Sequence, residues 1–573
     1  MKRFLALCLA LVVTLSGCSG ASSQSSSFTG FTTSLFVNEV SSDNITLNFT
    51  LSHPETYSIA TAATPLGSYD YDSMLSSVAA SENTLARCNE FSKSQLPIHQ
   101  KILLDTLKNT LQDSVKSGKY ILHNRSFSPN LGVQSQFPVL LCEYPLRKFE
   151  DIDKYFEILK AVPDYFSSMT TFEELRIKKG YGMPKCALDG ALKSCQSFMS
   201  KESDNLLITH FNQRIDELNF LTASEINYAK KKNRELVLSC VIPAYAKLSV
   251  SLNKWKKKAS EQGNMCLLPN GKDYYQFAMQ HSVGTDLTIS KAKVLLLDSY
   301  KSSRQKLLSL AAKNPGLMSR CSSYAICSKE PDKIIKTLKK ACKKDFPKIK
   351  DRKVQIKYVS PELESYLSPA FYLTAPLDDL DQNTIYINGS TQYENSDLFS
   401  TLAHEGYPGH MFQTVFHNSH LTSPLEGILS YEGYAEGWAS YCEIYSFNYS
   451  GLPQDVITVL KENTLSSLCL NALCDIGIHY DGWSRDKTKE FLIQNGVVST
   501  ASVNALYDEI ISNPGNYLKY SLGNLEMDRL KSAAKQTWKD SYSDLKFHTY
   551  VLTVGPTSFP ILKSYLENVS LIN

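Results

Sequence analysis

Long stretches with apolar residues at helical spacing and no glycine run through this chain, and they restrict it to a mostly α-helical fold. Phe149 to Lys179, Leu206 to Trp255 and Thr288 to Lys313 keep apolar side chains recurring every three to four residues. Ser81 to Val115 is a further glycine-free run that reads as helical. Strand signals are few. The clearest is Asn383 to Asn388, β-branched and aromatic, ending at Asn388-Gly389. A helix is expected to start near Asn395-Ser396-Asp397, whose side chains suit an N-cap. Leu268-Pro269-Asn270-Gly271 reads as a turn.

At 573 residues the chain exceeds the usual size of one domain. The expected division is a signal peptide (1–17), a Ser-rich tether (18–27), an N-terminal helical region (28–270) and a region bearing the chemistry (271–573). A net charge of +3 implies no nucleic-acid partner. Lysine-rich runs occur at Lys254–Lys258 and Lys336–Lys353. They read either as solvated helix faces or as contacts to an anionic membrane surface. The 32 tyrosines suit half-buried packing or a large cleft.

The first residues carry an export signal. Lys2 and Arg3 precede an apolar run from Phe4 to Val13 that is too short to span a bilayer comfortably. Leu15-Ser16-Gly17-Cys18 follows and resembles a bacterial lipobox, in which the Cys becomes the lipidated first residue. The expected location is outside the cytoplasm, anchored to a membrane through Cys18, with everything after the tether soluble. Twelve of the fourteen cysteines then remain, and export permits disulfides. Cys186/Cys195 and Cys321/Cys327 are candidate bridges by proximity in sequence.

The chemistry concentrates downstream. Five of the eleven histidines are His404, His410, His417, His420 and His479. His404 is followed by Glu405, the pairing in which a His holds a metal and the adjacent carboxylate takes a proton from water. In the familiar arrangement the second His sits four residues on, on the same helix face. Here it sits six residues on, and six steps of roughly 100° put the two side chains about 120° apart on a regular helix. Gly406, Pro408 and Gly409 lie between them, so a bulged or broken turn is required to bring His410 back beside His404. Further on, Glu432, Glu436 and Glu443 fall along one helix face. Such a stripe reads as solvent-facing, or as carboxylates gathered round a cation.

These segments resemble a bacterial family catalogued as domain of unknown function 885. Leu402 to Gln413 is similar to its central motif, and Glu436-Gly437-Trp438-Ala439 to its EGWA element. Cys474 to His479 with Gly482-Trp483-Ser484 resembles its D-x-G-x-H…G-W-S element. Pro514-Gly515 with Tyr520 to Gly523 resembles its PG…YxxG element. The family is regarded as metallopeptidase-like. The resemblance implies a two-lobed helical zinc-peptidase-like fold around a deep cleft, with a small β element beside the metal helix.

On this reading His404, His410 and Glu436 hold one zinc, Glu405 is the general base, and Tyr520 and His479 meet the oxyanion. The alternative for His479 is a core histidine paired with Asp475. The strand Thr384–Asn388 is expected to pair with an extended peptide substrate. Two rival functions stay open: a non-catalytic peptide-binding lipoprotein, and a zinc amidase acting on cell-wall peptide stems.

Overall fold

A computed structural model describes residues 21–568, apart from 202, 322, 323, 325, 327, 362, 363, 365, 366, 392, 394 and 498. The signal peptide and the lipobox, Cys18 included, lie outside the described residues. Helix α1 (Ala21–Val40) already runs through most of the Ser-rich stretch expected to be a flexible tether. Its Thr29 and Ser34 hydroxyls are satisfied within the helix, bonding the Ser25 and Gly30 carbonyls one turn earlier.

The protein is mostly helical, with one small sheet. The elements that carry the argument are α2 (Ile98–Ser117), α3 (Phe149–Lys178), α4 (Ile289–Lys313) and α5 (Pro331–Ala341). The strands follow: β1 (Val354–Tyr358), β2 (Ala370–Leu373) and β3 (Asn383–Ile387). Then come α6 (Asn395–Glu405), α7 (His410–Asn418), α8 (Glu432–Ser446), α9 (Gln454–His479) and α10 (Asn516–Trp538).

The sequence signals hold locally. Thr288 caps α4 by accepting from the Lys291 N–H, and α6 begins at Asn395. The glycine-free run 81–115 is two helices, because Pro97 starts a new one. By length and composition the continuous helix Ala223–Lys256 is able to cross a membrane. Its Leu236, Val241, Tyr245 and Leu252 nevertheless pack into an apolar cluster with residues of α3.

Apolar side chains form three main clusters. One joins residues 28–111 to Leu425, Ile428 and Leu429. A second takes residues 127–255 and adds Val359 and Tyr386. The largest spans Met265 to Leu566 and adds Ile102. The first and last regions are tied by polar contacts as well. Asn109 of α2 donates to the Tyr431 hydroxyl at 2.6 Å, and Thr106 bonds Thr557 at 2.7 Å.

In the sheet β3 lies in the middle, parallel to β1 and antiparallel to β2. Both edges of β3 are therefore occupied, and the expected pairing of this strand with a peptide is not available. The outward edges belong to β1 and β2.

The eleven described cysteines are all free thiols. The suggested Cys186/Cys195 bridge fails on geometry. Both residues lie in the helix Lys185–Met199, and nine residues of helix rise put them about 13 Å apart, twice the reach of a disulfide. Cys321 is free, and Cys327 lies outside the described residues.

Candidate metal centre

The helix that carries His404 ends at Glu405, and the next begins at His410. Between them the chain turns back, with the Tyr407–Pro408 peptide cis. The Gly409 N–H bonds Ala403 O at 2.9 Å, and the Phe412 N–H bonds Gly406 O at 3.1 Å. Gly409 is needed for space: a Cβ there would sit 1.8 Å from the His404 carbonyl oxygen. Trp438 of α8 holds the turn from outside, its indole N–H donating to Pro408 O at 3.0 Å.

The broken helix brings the two histidines together. Their ring centroids are 4.9 Å apart with planes at 81°. Glu436 of α8 completes the group. His410 Nε2 lies 3.2 Å and His404 Nε2 3.6 Å from Glu436 Oε2. One donor atom from each residue lies within 4.8 Å of the others. Ligands about 2.05 Å from a tetrahedral ion sit roughly 3.3 Å apart, near the two His–Glu436 distances, and two His nitrogens with a carboxylate oxygen are a donor set that could hold such an ion. Among the described residues this is the only such group of three or more His, Cys, Asp or Glu.

Three further groups order the triad. His404 Nδ1 meets Glu443 Oε2 at 3.2 Å, about two helical turns beyond Glu436. Glu405 is 8% exposed, and its Oε2 accepts the Tyr372 N–H of β2 at 2.9 Å. Lys519 of α10, its side chain 10% exposed, lies 3.6 Å from Glu432 and 4.0 Å from Glu436. Glu432 also accepts from the Ser282 hydroxyl at 2.8 Å. Of the acidic stripe, Glu436 faces the histidine nitrogens, Glu443 backs one of them, and Glu432 turns to Lys519.

The electrostatics follow from burial and neighbours. Burial raises the Glu405 carboxyl above its ordinary range, against the nearby histidines. For Glu436 burial works upward, but His410, His404 and Lys519 hold its carboxyl well below the usual range. For His404 burial works downward, yet the bonds to Glu436 and Glu443 and the charge of Glu405 carry its imidazole well above the usual value. A site that attracts a proton this strongly is a site that attracts a cation.

Helix packing delivers the far residues. In α8 and α10 the backbones touch: a Cβ on Gly437 would lie 2.4 Å from the Gly523 carbonyl carbon. This close approach sets Tyr520 beside the triad, its ring 6.4 Å from that of His404. Asp475 secures the start of α10 by accepting the Gly515 N–H at 2.9 Å and the Tyr275 hydroxyl at 2.5 Å.

His479 is placed otherwise than expected. It is fully buried, its Nδ1 accepts the Met265 N–H at 3.2 Å, and its Nε2 donates to Ile510 O at 2.8 Å. With both nitrogens committed to backbone, it has no donor left for an oxyanion. Nor is it Asp475's partner. His417 and His420 bond the Glu426 and Phe416 carbonyls and stand outside the triad.

Residues 61–566 match the family described as bacterial protein of unknown function, DUF885. The chain belongs to the DUF885 family. Among the solved structures that share the fold are two described as lipoproteins. One is a "putative lipoprotein" from Colwellia psychrerythraea, at 17% identity and TM-score 0.83, covering 97% of this chain and 100% of that one. The other, a "putative lipoprotein of unknown function" from Shewanella oneidensis, matches at 13% identity and TM-score 0.65 over 96% and 99%. No curated protein matches. Several DUF885 motif residues have physical reasons in this chain: Trp438 braces the turn between His404 and His410, Gly437 and Gly523 let two helices touch, and Asp475 caps α10.

Sequence reasoning missed Lys519, the Tyr372 N–H on Glu405, and the role of Glu443. The only signal for the last was its place on the acidic helix face.

Proposed function

We propose that this DUF885 protein is a zinc-dependent peptidase that works outside the cytoplasm, anchored by lipid on Cys18. His404, His410 and Glu436 are the ligands, Glu405 is the general base, and Tyr520 is the oxyanion donor. The observation that carries the reading is the spacing of three ligand atoms beside an oriented, buried carboxylate. Two solved structures that share its fold carry the word lipoprotein, which supports the anchor. The separate clusters at 127–255 and 265–566 support the finer picture of two lobes around a cleft.

A zinc ion held there supplies Lewis acidity and brings the pKa of a coordinated water to roughly 7. The chain's own residues do the rest. Glu405 keeps Oε2 on the Tyr372 N–H, so Oε1 is the atom that takes the proton and returns it to the leaving amine. Its raised pKa suits a group that must do both. Tyr520 donates to the carbonyl oxygen as it gains charge.

The test is zinc content and turnover of linear peptides and muropeptides, for wild type and Glu405→Gln. The expected result is about one zinc per chain in both, with turnover at least roughly a hundredfold lower in the variant. Absence of zinc, or full turnover in zinc-loaded Glu405→Gln, overturns the reading. Binding without cleavage replaces it with a peptide-binding lipoprotein, and cleavage of muropeptides alone with a cell-wall amidase.

A further inference from the structure

We propose that the segment 331–358 is a docking face for anionic phospholipid headgroups. It carries eleven Lys or Arg against three Asp, a net charge of +8 in a chain whose total is +3. The remainder of the protein is therefore net acidic, and this one stretch stands apart from it.

The fold keeps that charge outward. α5 buries Ile334, Ile335 and Leu338 and turns its polar side to solvent. Lys336, Lys340, Lys343, Lys344, Lys348 and Lys350 are exposed, and among the described residues no carboxylate lies within ion-pair distance of them. The lysine run at 254–258 behaves differently: Lys254 pairs with Glu174 and Lys256 with Asp189. Crowded, unpaired ammonium groups repel one another, and a surface of opposite charge relieves that repulsion. β1 extends the face with exposed Lys353, Lys357 and Tyr358, the last 63% exposed. A ring with a polar tip suits the headgroup zone.

Chain length makes a phospholipid surface the occupant. Cys18 is three residues from Ala21, the first residue described, and three residues reach at most about 11 Å. A lipid on Cys18 thus holds the body against the bilayer, with little more than one Debye length, about 8 Å, to spare. A body so held stays within reach of the headgroups, and the net positive charge of 331–358 is what draws this face to them.

The face is also joined to the metal turn. Ile335 packs against Gly406, and Lys339 Nζ lies 5.7 Å from the Tyr407 ring centre. Docking there seats the triad close to the bilayer. The inference rests on the lipid-anchor reading and is independent of the peptidase reading.

The test is lysine acetylation footprinting, read by mass spectrometry, on the lipidated full chain. The chain is bound to phosphatidylcholine vesicles with or without about one third phosphatidylglycerol. Lysines of the segment are expected to react at least roughly fivefold more slowly on the anionic vesicles. The protection is expected to vanish in about 0.5 M salt, while exposed Lys313 keeps its rate. Combined Lys336→Glu, Lys340→Glu, Lys343→Glu and Lys344→Glu is expected to abolish the difference without changing zinc content or Tm. Equal rates on both vesicles overturn the proposal. Protection by soluble polyglutamate but not by anionic vesicles also overturns it, in favour of an acidic polymer. The mass of the N-terminal peptide shows whether Cys18 carries lipid. A chain without lipid that binds only the anionic vesicles, with the same footprint, supports the face and refutes the anchor.

Discussion

His404 Nδ1 and Glu443 Oε2 lie 3.2 Å apart, and this contact decides which nitrogen of His404 faces the triad. With Nδ1–H directed at Glu443, the free electron pair is on Nε2, the nitrogen nearest Glu436. Glu443→Ala is expected to weaken zinc binding by about 10- to 100-fold. Glu443→Gln keeps an acceptor oxygen and should recover most of it. Competition with a chelator measures both, and an unchanged affinity in Glu443→Ala refutes the role.

Protons compete for the same place. The imidazole of His404 is held well above its ordinary pKa by Glu436 and Glu443, so the metal-free site stays protonated above neutrality's usual limit for histidine. Zinc binding must release that proton, and affinity falls as pH drops. Zinc retained after dialysis should decline as pH falls, starting above the pH at which an ordinary histidine protonates. In Glu443→Ala the raising influence is reduced, so proton competition should begin at lower pH.

Tyr520→Phe removes the hydroxyl from a ring 6.4 Å from that of His404 and alters none of the proposed ligands. Turnover should fall by roughly a hundredfold or more, with zinc content unchanged, because the loss falls on the transition state. Steady-state kinetics with zinc measured in the same samples checks this. A rise in KM alone assigns Tyr520 to substrate binding instead.

Gly437→Ala pushes a methyl group into the Gly523 backbone. The cost should be about 1–3 kcal/mol of stability, and turnover should fall too, since α10 carries Tyr520. Gly523→Ala should do the same. The double variant should lose less than the sum, because both substitutions spoil one contact. Urea unfolding of the four proteins measures the coupling.

His479→Gln separates a structural histidine from a catalytic one. Burial takes its pKa down to about 3 in the fold, against an ordinary value of 6.5. Between those values the unfolded chain binds a proton that the folded chain refuses, so stability is lost as pH falls below about 6.5. The variant should show a shallower loss of Tm from about pH 6.5 to pH 4. Zinc content and turnover at neutral pH should stay near wild type. A hundredfold loss of turnover with zinc retained returns His479 to the catalytic group.

What the sequence made legible follows the range of each interaction. The strand at 383–388, the helix from Asn395 and the acidic helix from Glu432 are local patterns, and each appears in the fold. His404, His410 and Glu436 could be singled out because their chemical types crowd a short window. The geometry that gathers them was partly legible too, in the glycines and proline between the histidines. Lys519 carried no such signal, since it arrives by a helix contact through Gly437 and Gly523. His479 misled because its partners are backbone atoms of Met265 and Ile510, which no side-chain pattern announces. The middle position of β3 is likewise a matter of strand order, and strand order is invisible in a period-two pattern.

The bare meeting of Gly437 and Gly523 also limits how this protein can evolve. Nothing smaller than glycine exists, so neither position has a compensating partner substitution. Any side chain gained on one helix can be accommodated only by shifting the whole of the other, together with the residues it presents to the triad. The two positions should therefore stay invariant singly and jointly as lineages diverge, while neighbouring helix faces exchange one apolar residue for another freely.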